Sequence, residues 1–287
     1  MKKKKSSIRL TVLITVTVLL LAGILAAVLA SCTAVKEKEK PRRTEPTTEP
    51  IPSNEYLPEG FYTEDGFLHY RNQEHKIGID VSAHQEVIDW KQVAEAGVEF
   101  AIIRAGYRGS TVGDLYEDEQ FSYNLTEAKN VGIQVGVYFY SQALTPEEAE
   151  EEAIFLCKLL KDTELDLPVY YDWEFTDAES RIPSIEQVPL TRCTKAFCEI
   201  IRDHGYQPGV YFNQNFGYHR LNLRQLQDYH LWLAEYGEVP EFRYHFDCLQ
   251  YSDSGTVPGI EVPVDLDILF IDEEKKSPAE PDSFFIF

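Results

Sequence analysis

The sequence predicts an α/β fold: a closed but irregular barrel of five strand-helix units followed by about three strands. Three observations predict it. Short runs rich in Val, Ile, Tyr and Phe alternate with amphipathic segments, the pattern of a parallel sheet with helical crossovers. The last three apolar runs lack long helical segments between them. Carboxylates fall at the ends of particular runs (Asp80, Asp172 with Glu174, and Asp265), and the working mouth of such a barrel lies at the C-terminal ends of its strands.

The chain has 287 residues, enough for one large domain with extensions. Lys2 to Lys5 precede an apolar run from Ile8 to Ala30, the pattern of an export signal over residues 1–31. Leu29-Ala30-Ser31-Cys32 resembles a bacterial lipobox, in which Cys32 becomes lipidated. The expectation is an extracytoplasmic protein anchored to the cell membrane through Cys32, with an uncleaved N-terminal helix as the alternative. Residues 32–55, rich in Lys, Glu, Pro and Thr, read as a flexible tether. Residues 56–75, with Gly60, Gly66 and alternating Phe61, Phe67 and Tyr70, read as a small hairpin leading into the domain.

The main domain spans 76–272. Ile77 to Ser82 is its first strand. Asp89-Trp90 opens a short helix that Gly97 is placed to close. Phe100 to Ala105 is the second strand, and a helix is expected over 117–131, with Phe121, Leu125 and Ala128 on one face. Val135 to Tyr140 is the third strand. Thr145-Pro146-Glu147-Glu148 starts the next helix, with Thr as N-cap and Pro in the first turn. Leu167 to Phe175 holds the fourth strand, a helix follows over 189–204, Gly209 to Phe212 is the fifth strand, and 221–228 reads as a short helix. His230 to Ala234, Phe246 to Gln250 and Val264 to Leu269 complete an irregular TIM-like barrel. Residues 273–287 form a charged tail.

The fourth strand carries the clearest chemistry. Side chains two apart on a strand share a face, so Asp172 and Glu174 stand side by side among aromatic residues. Desolvation and a neighbouring negative charge both oppose ionisation. A protonated acid beside an ionised one is the pairing that glycoside hydrolysis uses; two solvated acids at a strand end are the alternative. Formal net charge is −21, and −26 from Cys32 onward once Lys2 to Lys5 and Arg9 are set aside, which excludes nucleic-acid binding. The seven histidines show no metal-ligand spacing, and no nucleotide fingerprint occurs, so neither metal nor cofactor is expected. Cys157, Cys193, Cys198 and Cys248 permit two disulfides or four buried thiols.

From Lys76 to about Phe270 the chain resembles the catalytic domain of glycoside hydrolase family 25, the N-acetylmuramidases of the Chalaropsis lysozyme type. The resemblance runs through Gly78-Ile79-Asp80-Val81-Ser82 with His84-Gln85, Ile88-Asp89-Trp90, Phe100 to Arg104, Gly136-Val137-Tyr138, Asp172-Trp173-Glu174, Gln250-Tyr251, Pro258-Gly259-Ile260 and Val264-Asp265-Leu266. It implies cleavage of the β-1,4 bond between N-acetylmuramic acid and N-acetylglucosamine in peptidoglycan glycan strands, by a monomer. It implies Glu174 as general acid, with the substrate's own acetamido oxygen as nucleophile in a retaining reaction. Asp172 would orient that group, and Asp80 and Asp265 would hold the sugar and the acid pair; a direct nucleophile role for Asp172 or Asp265 stays open. Asp267 departs from the Asn often found there, and no wall-binding repeat is recognisable.

Tyr138, Trp232, Tyr251 and Asp267 are candidate substrate-binding residues. Tyr140, Tyr171, Trp173 and Tyr211 also lie near strand ends, where core packing is the commoner role. Arg104 is expected to pair with the acid cluster. Two other classes compete with an enzyme: a non-catalytic, membrane-tethered glycan-binding protein, and a structural lipoprotein that scaffolds envelope enzymes.

Overall fold

The structure is a computed structural model that describes residues 50–272 except 162, 177–179, 182–183, 185 and 187. The export signal, Cys32 and the 273–287 tail lie outside the described residues.

Eight strands close the barrel: β3 (His75–Val81), β4 (Phe100–Arg108), β6 (Gln134–Ser141), β7 (Val169–Trp173), β8 (Pro208–Asn213), β9 (His230–Ala234), β10 (Cys248–Gly255) and β11 (Val264–Phe270). Outside it are the hairpin β1 (Phe61–Glu64) and β2 (Phe67–Tyr70), and β5 (Leu115–Glu117), which folds back on β4. The helices are α1 (Trp90–Glu95), α2 (Phe121–Asn130), α3 (Pro146–Leu159), α4 (Leu190–Asp203) and α5 (Gln214–His219). Their starts follow the local chemistry: the side chains of Asp89, Thr145 and Asn213 accept the free N–H groups of Gln92, Glu148 and Phe216.

The sheet is parallel from β3 round to β10, but β11 runs antiparallel to both β10 and β3. The parallel order inferred from the strand-helix alternation does not extend to β11, because only the short stretch 256–263 joins it to β10 and a parallel return needs a longer crossover. The reversal positions chemistry. Asp265 lies near the start of β11 and is paired with Asp80, so it reaches the same end of the barrel as the C-terminal ends of the parallel strands.

Alternation assigns the faces. Phe100, Ile102, Tyr138, Tyr170, Trp232, Cys248 and Leu269 fill the interior. Val137, Tyr171, Trp173 and Val210 point outward into the larger core beneath the helices. Gly78 and Gly209 make room for interior rings: a Cβ at either would lie 2.3 Å from Phe100 or Tyr170. The hairpin lead-in also packs against the barrel. Leu68 N donates to the Tyr251 hydroxyl at 3.1 Å, and Tyr56 stacks on Phe270 with ring centroids 4.0 Å apart. Residues 56–70 thereby cover β10 and β11, which follow one another without a helix.

Three expected elements are corrected. The helix placed over 117–131 begins at Phe121, because Leu115–Glu117 pairs with β4. The helix placed over 221–228 lies earlier, at Gln214–His219, where Asn213 caps it; a 3-10 turn follows at Leu223–Gln225. The strand placed over 246–250 starts at Cys248 and continues to Gly255. Cys157, Cys193, Cys198 and Cys248 are buried free thiols.

Gly209→Ala is expected to destabilise the domain by about 1–3 kcal/mol through overpacking against the Tyr170 ring, read from the denaturant midpoint at unchanged m-value.

Candidate active site

A cavity of about 410 Å³ opens at the mouth of the barrel, and Asp80, Asp172, Glu174 and Asp265 all line it. They come from β3, β7 and β11. Strand pairing of β7 stops at Trp173, so Glu174 is the first residue beyond it and keeps the inward phase of Tyr170 and Asp172. Two contacts fix that turn. Trp173 Nε1 donates to the Ala143 carbonyl at 2.9 Å, and Gln142 Nε2 donates to the Glu174 carbonyl at 2.7 Å.

Burial is the leading cause of a raised pKa at each of these acids. At Asp172 it is reinforced by Glu174 and opposed by Arg104, and Asp172 Oδ1 is buried with no hydrogen-bond donor on it. At Glu174 it is opposed by the adjacent Tyr211 hydroxyl. At Asp80 the charges of Asp267 and Asp265 add to it, while Gln250 opposes. Asp265 is pushed up to about 6 by burial and by Asp253.

Gln250 is the polar hub of the site. Its Nε2 donates to Asp80 Oδ2 at 2.7 Å, and its Oε1 accepts from the Tyr211 and Tyr236 hydroxyls at 3.0 and 3.3 Å. The sequence reading did not single it out, although it occupies the inward phase of β10 two residues after Cys248. His84 and Tyr236 also line the cavity without having been named as site residues; His84 lies in the single 3-10 turn Ala83–Gln85 and Tyr236 in the loop after β9, and neither segment is long enough for periodicity to give a facing.

The candidate substrate-binding residues divide. Tyr138 and Trp232 line the cavity, as do Tyr140 and Tyr211. Tyr251 does not: it takes the outward phase of β10 and lies under the hairpin, bonded to Leu68 N. Asp267 is fully enclosed below the cavity floor, where its Oδ1 accepts from Trp232 Nε1 at 2.8 Å. Arg104 pairs with Asp118 at 2.7 Å and not with the acid cluster, though its guanidinium lines the cavity.

A second hollow, of about 580 Å³, adjoins the first and shares Glu174, Tyr211 and Tyr236 with it. Glu174 thus stands where two sections of one groove meet. An acid with a raised pKa, set where two sections of an aromatic-walled groove meet, suits proton donation to a bond inside a bound polymer.

Comparison with known proteins places the fold in a family. The autolytic lysozyme of Clostridium acetobutylicum is 34% identical over 191 residues, covering 66% of this chain and 54% of that protein. The modular autolysin LytC of Streptococcus pneumoniae, solved in complex with a synthetic peptidoglycan ligand, superposes with a TM-score of 0.62 at 28% identity, covering 74% of this chain and 52% of that one. The chain therefore spans about half the length of these two relatives. A family 25 glycosyl hydrolase from Bacillus anthracis shares the fold with a TM-score of 0.58 at 22% identity, over 72% of this chain and 94% of that one. The profile of the glycosyl hydrolases family 25 matches residues 79–260, from the strand that carries Asp80 to the loop that precedes Asp265, and the chain belongs to that family.

Proposed function

We propose that the domain hydrolyses peptidoglycan by cleaving the β-1,4 bond between N-acetylmuramic acid and N-acetylglucosamine. The observation that carries this reading is the position of Glu174, a carboxyl with a raised pKa at the junction of the two hollows. Glu174 gives its proton to the glycosidic oxygen as the bond to the anomeric carbon breaks. The acetamido oxygen of the same muramic acid unit attacks that carbon from the opposite side, as in substrate-assisted retaining hydrolysis. Asp172, adjacent and more deeply buried, balances the charge that develops on the acetamido group. Water then opens the cyclic intermediate, and Glu174 takes the water's proton. Asp80 and Asp265 hold the sugar and the acid pair, and the walls of Tyr138, Tyr140, Tyr211 and Trp232 offer faces to sugar rings.

Glu174→Gln keeps the shape of the groove and removes the proton. It is expected to lower turnover of purified peptidoglycan by about 10²- to 10⁴-fold with little change in binding. Equal turnover by both proteins would remove Glu174 from the role, and binding without turnover by the wild type would favour a glycan-binding protein.

The pH dependence has a definite sign. Activity needs the Glu174 proton and falls as pH rises through its raised pKa. Stability falls in the same direction. Asp265 rises from 3.8 to about 6 on folding, so its contribution is complete below 3.8 and is lost as pH climbs through about 6. Asp80, Asp172 and Asp267 are also raised and extend that loss to higher pH. A Tm that declines steadily on titration from acid to alkaline pH is the expected result, and a Tm that rises over the same interval would contradict it.

We propose also that Cys32 carries a lipid that anchors the domain outside the membrane, so that a single chain works on nearby wall. Leu29-Ala30-Ser31-Cys32 behind the Ile8–Ala30 run supports this. Cys32→Ser is expected to abolish labelling of the chain by an alkynyl fatty acid in growing cells; undiminished labelling would refute the anchor.

A further inference from the structure

Glu152 is a buried acid that the proposed reaction does not use. It lies on the buried face of α3 and is fully enclosed, as are Ser141 at the end of β6 and its neighbour Gln142. None of the three borders either hollow. Both Glu152 oxygens are taken: Oε1 accepts from Arg108 Nε at 2.7 Å, and Oε2 accepts from the Ser141 hydroxyl at 2.6 Å. Arg108 is fixed in turn by the carbonyls of Gly113 and Glu148, at 2.8 Å each. A serine hydroxyl has one proton and two lone pairs to offer, and Ser141 uses them all. Its proton goes to Glu152, so the Tyr171 hydroxyl, 3.0 Å away, donates to it, and Ala143 N donates to it at 3.1 Å. The oxygen that Glu152 orients therefore shapes the turn 141–143, and that turn grips the acid-bearing segment. The Ala143 carbonyl accepts from Trp173 Nε1, and Gln142 Nε2 donates to the Glu174 carbonyl. Gln142 has no slack: Nε2 also donates to the Ser141 carbonyl at 3.0 Å, and Oε1 accepts from Thr176 Oγ1 at 3.2 Å. A buried ion pair often adds little stability over apolar packing of the same volume. A fully satisfied polar network does something apolar packing does not: it fixes one arrangement of its members.

We propose that Glu152 and Ser141 are positioning residues: the Glu152 carboxylate orients the Ser141 hydroxyl, the hydroxyl sets the turn 141–143, and the turn fixes through Gln142 and Trp173 where Glu174 meets the substrate. The clause about substrate rests on the hydrolase reading; the placement of Glu174 does not. The path runs from α3 to the mouth of the barrel through buried hydrogen bonds alone. Its length is no obstacle to a large effect, because a misplacement of about 1 Å at a reacting group costs about 10²-fold in rate even when the cause lies far from the chemistry.

The test uses the full chain with Ser141→Ala and Glu152→Gln. Glu152→Gln turns an amide N–H against the donor of Arg108 or Ser141; should it not fold, Ser141→Ala decides, since it leaves the pair of Arg108 and Glu152 in place. On peptidoglycan Ser141→Ala is expected to lower kcat by about 10- to 10²-fold with KM within about twofold of wild type. The alkaline limb of its pH–rate profile should move to lower pH, because a loosened turn lets water reach Glu174 and undoes part of the burial that raises its pKa. In a Glu174→Gln background the same substitution should cost no more than about twofold, because it acts only through the acid already removed. Equal losses in both backgrounds would overturn the proposal, and so would a lowered Tm with kcat and the alkaline limb unchanged. Carbon-13 NMR titration of the Glu174 carboxyl, assigned by its absence from Glu174→Gln, reads the same displacement without turnover. A lower midpoint in Ser141→Ala than in wild type is expected, and coincident midpoints would overturn the proposal. A wild type that cleaves no peptidoglycan would end the hydrolase reading, while the two titrations would still decide the placement of Glu174.

Discussion

The structure depends on how a closed barrel holds five acids at one end. Asp80, Asp172, Glu174, Asp265 and Asp267 approach one another inside a wall of aromatic rings, and each has a pKa raised first by burial. Isolated carboxylates in such a place are costly to ionise, so each holds its proton to higher pH than a free acid does. Arg104, the guanidinium that lines the cavity, is already paired with Asp118. Amide and phenol groups do the remaining work: Gln250 links Asp80 to Tyr211 and Tyr236, and Trp232 holds Asp267. A carboxyl at Glu174 that holds its proton to higher pH than a free glutamic acid follows from this burial.

Everything beneath the cluster serves to hold it. Glycines at Gly78 and Gly209 admit the rings of Phe100 and Tyr170, which fill the barrel and form a rigid, dry base. The antiparallel last strand brings Asp265 to the mouth from the opposite chain direction, opposite Asp80 of β3, and sets Asp267 beneath it. The hairpin seals the side of the barrel where consecutive strands have no helix between them. Anchors outside the barrel fix the turn that bears Glu174, through Trp173 and Gln142.

Much of this was legible in the sequence because it rests on period-two alternation. The phase of Tyr170-Asp172-Glu174 predicted a shared inward face, and the structure has it. The same rule, applied to β10, separates Gln250 from Tyr251; choosing the aromatic over the amide picked the outward residue. On β11 the phase was right for Asp267, but its depth along the barrel was not readable, because depth depends on register with β3 and β10. The reversed direction of β11 was hidden for a related reason: alternation is the same in either direction, and only the short 256–263 connection hints at it. Tyr236 sits in a loop and His84 in the single 3-10 turn Ala83–Gln85, where no periodic signal exists.

The central claim is that this acid cluster protonates one particular glycosidic bond. The most direct measurement is the identity of the new reducing sugar, read by mass spectrometry after borohydride reduction of peptidoglycan digested by the wild-type protein. Reduced N-acetylmuramic acid at every new end is the predicted result. Reduced N-acetylglucosamine, or intact glycan strands after full binding, would contradict the account.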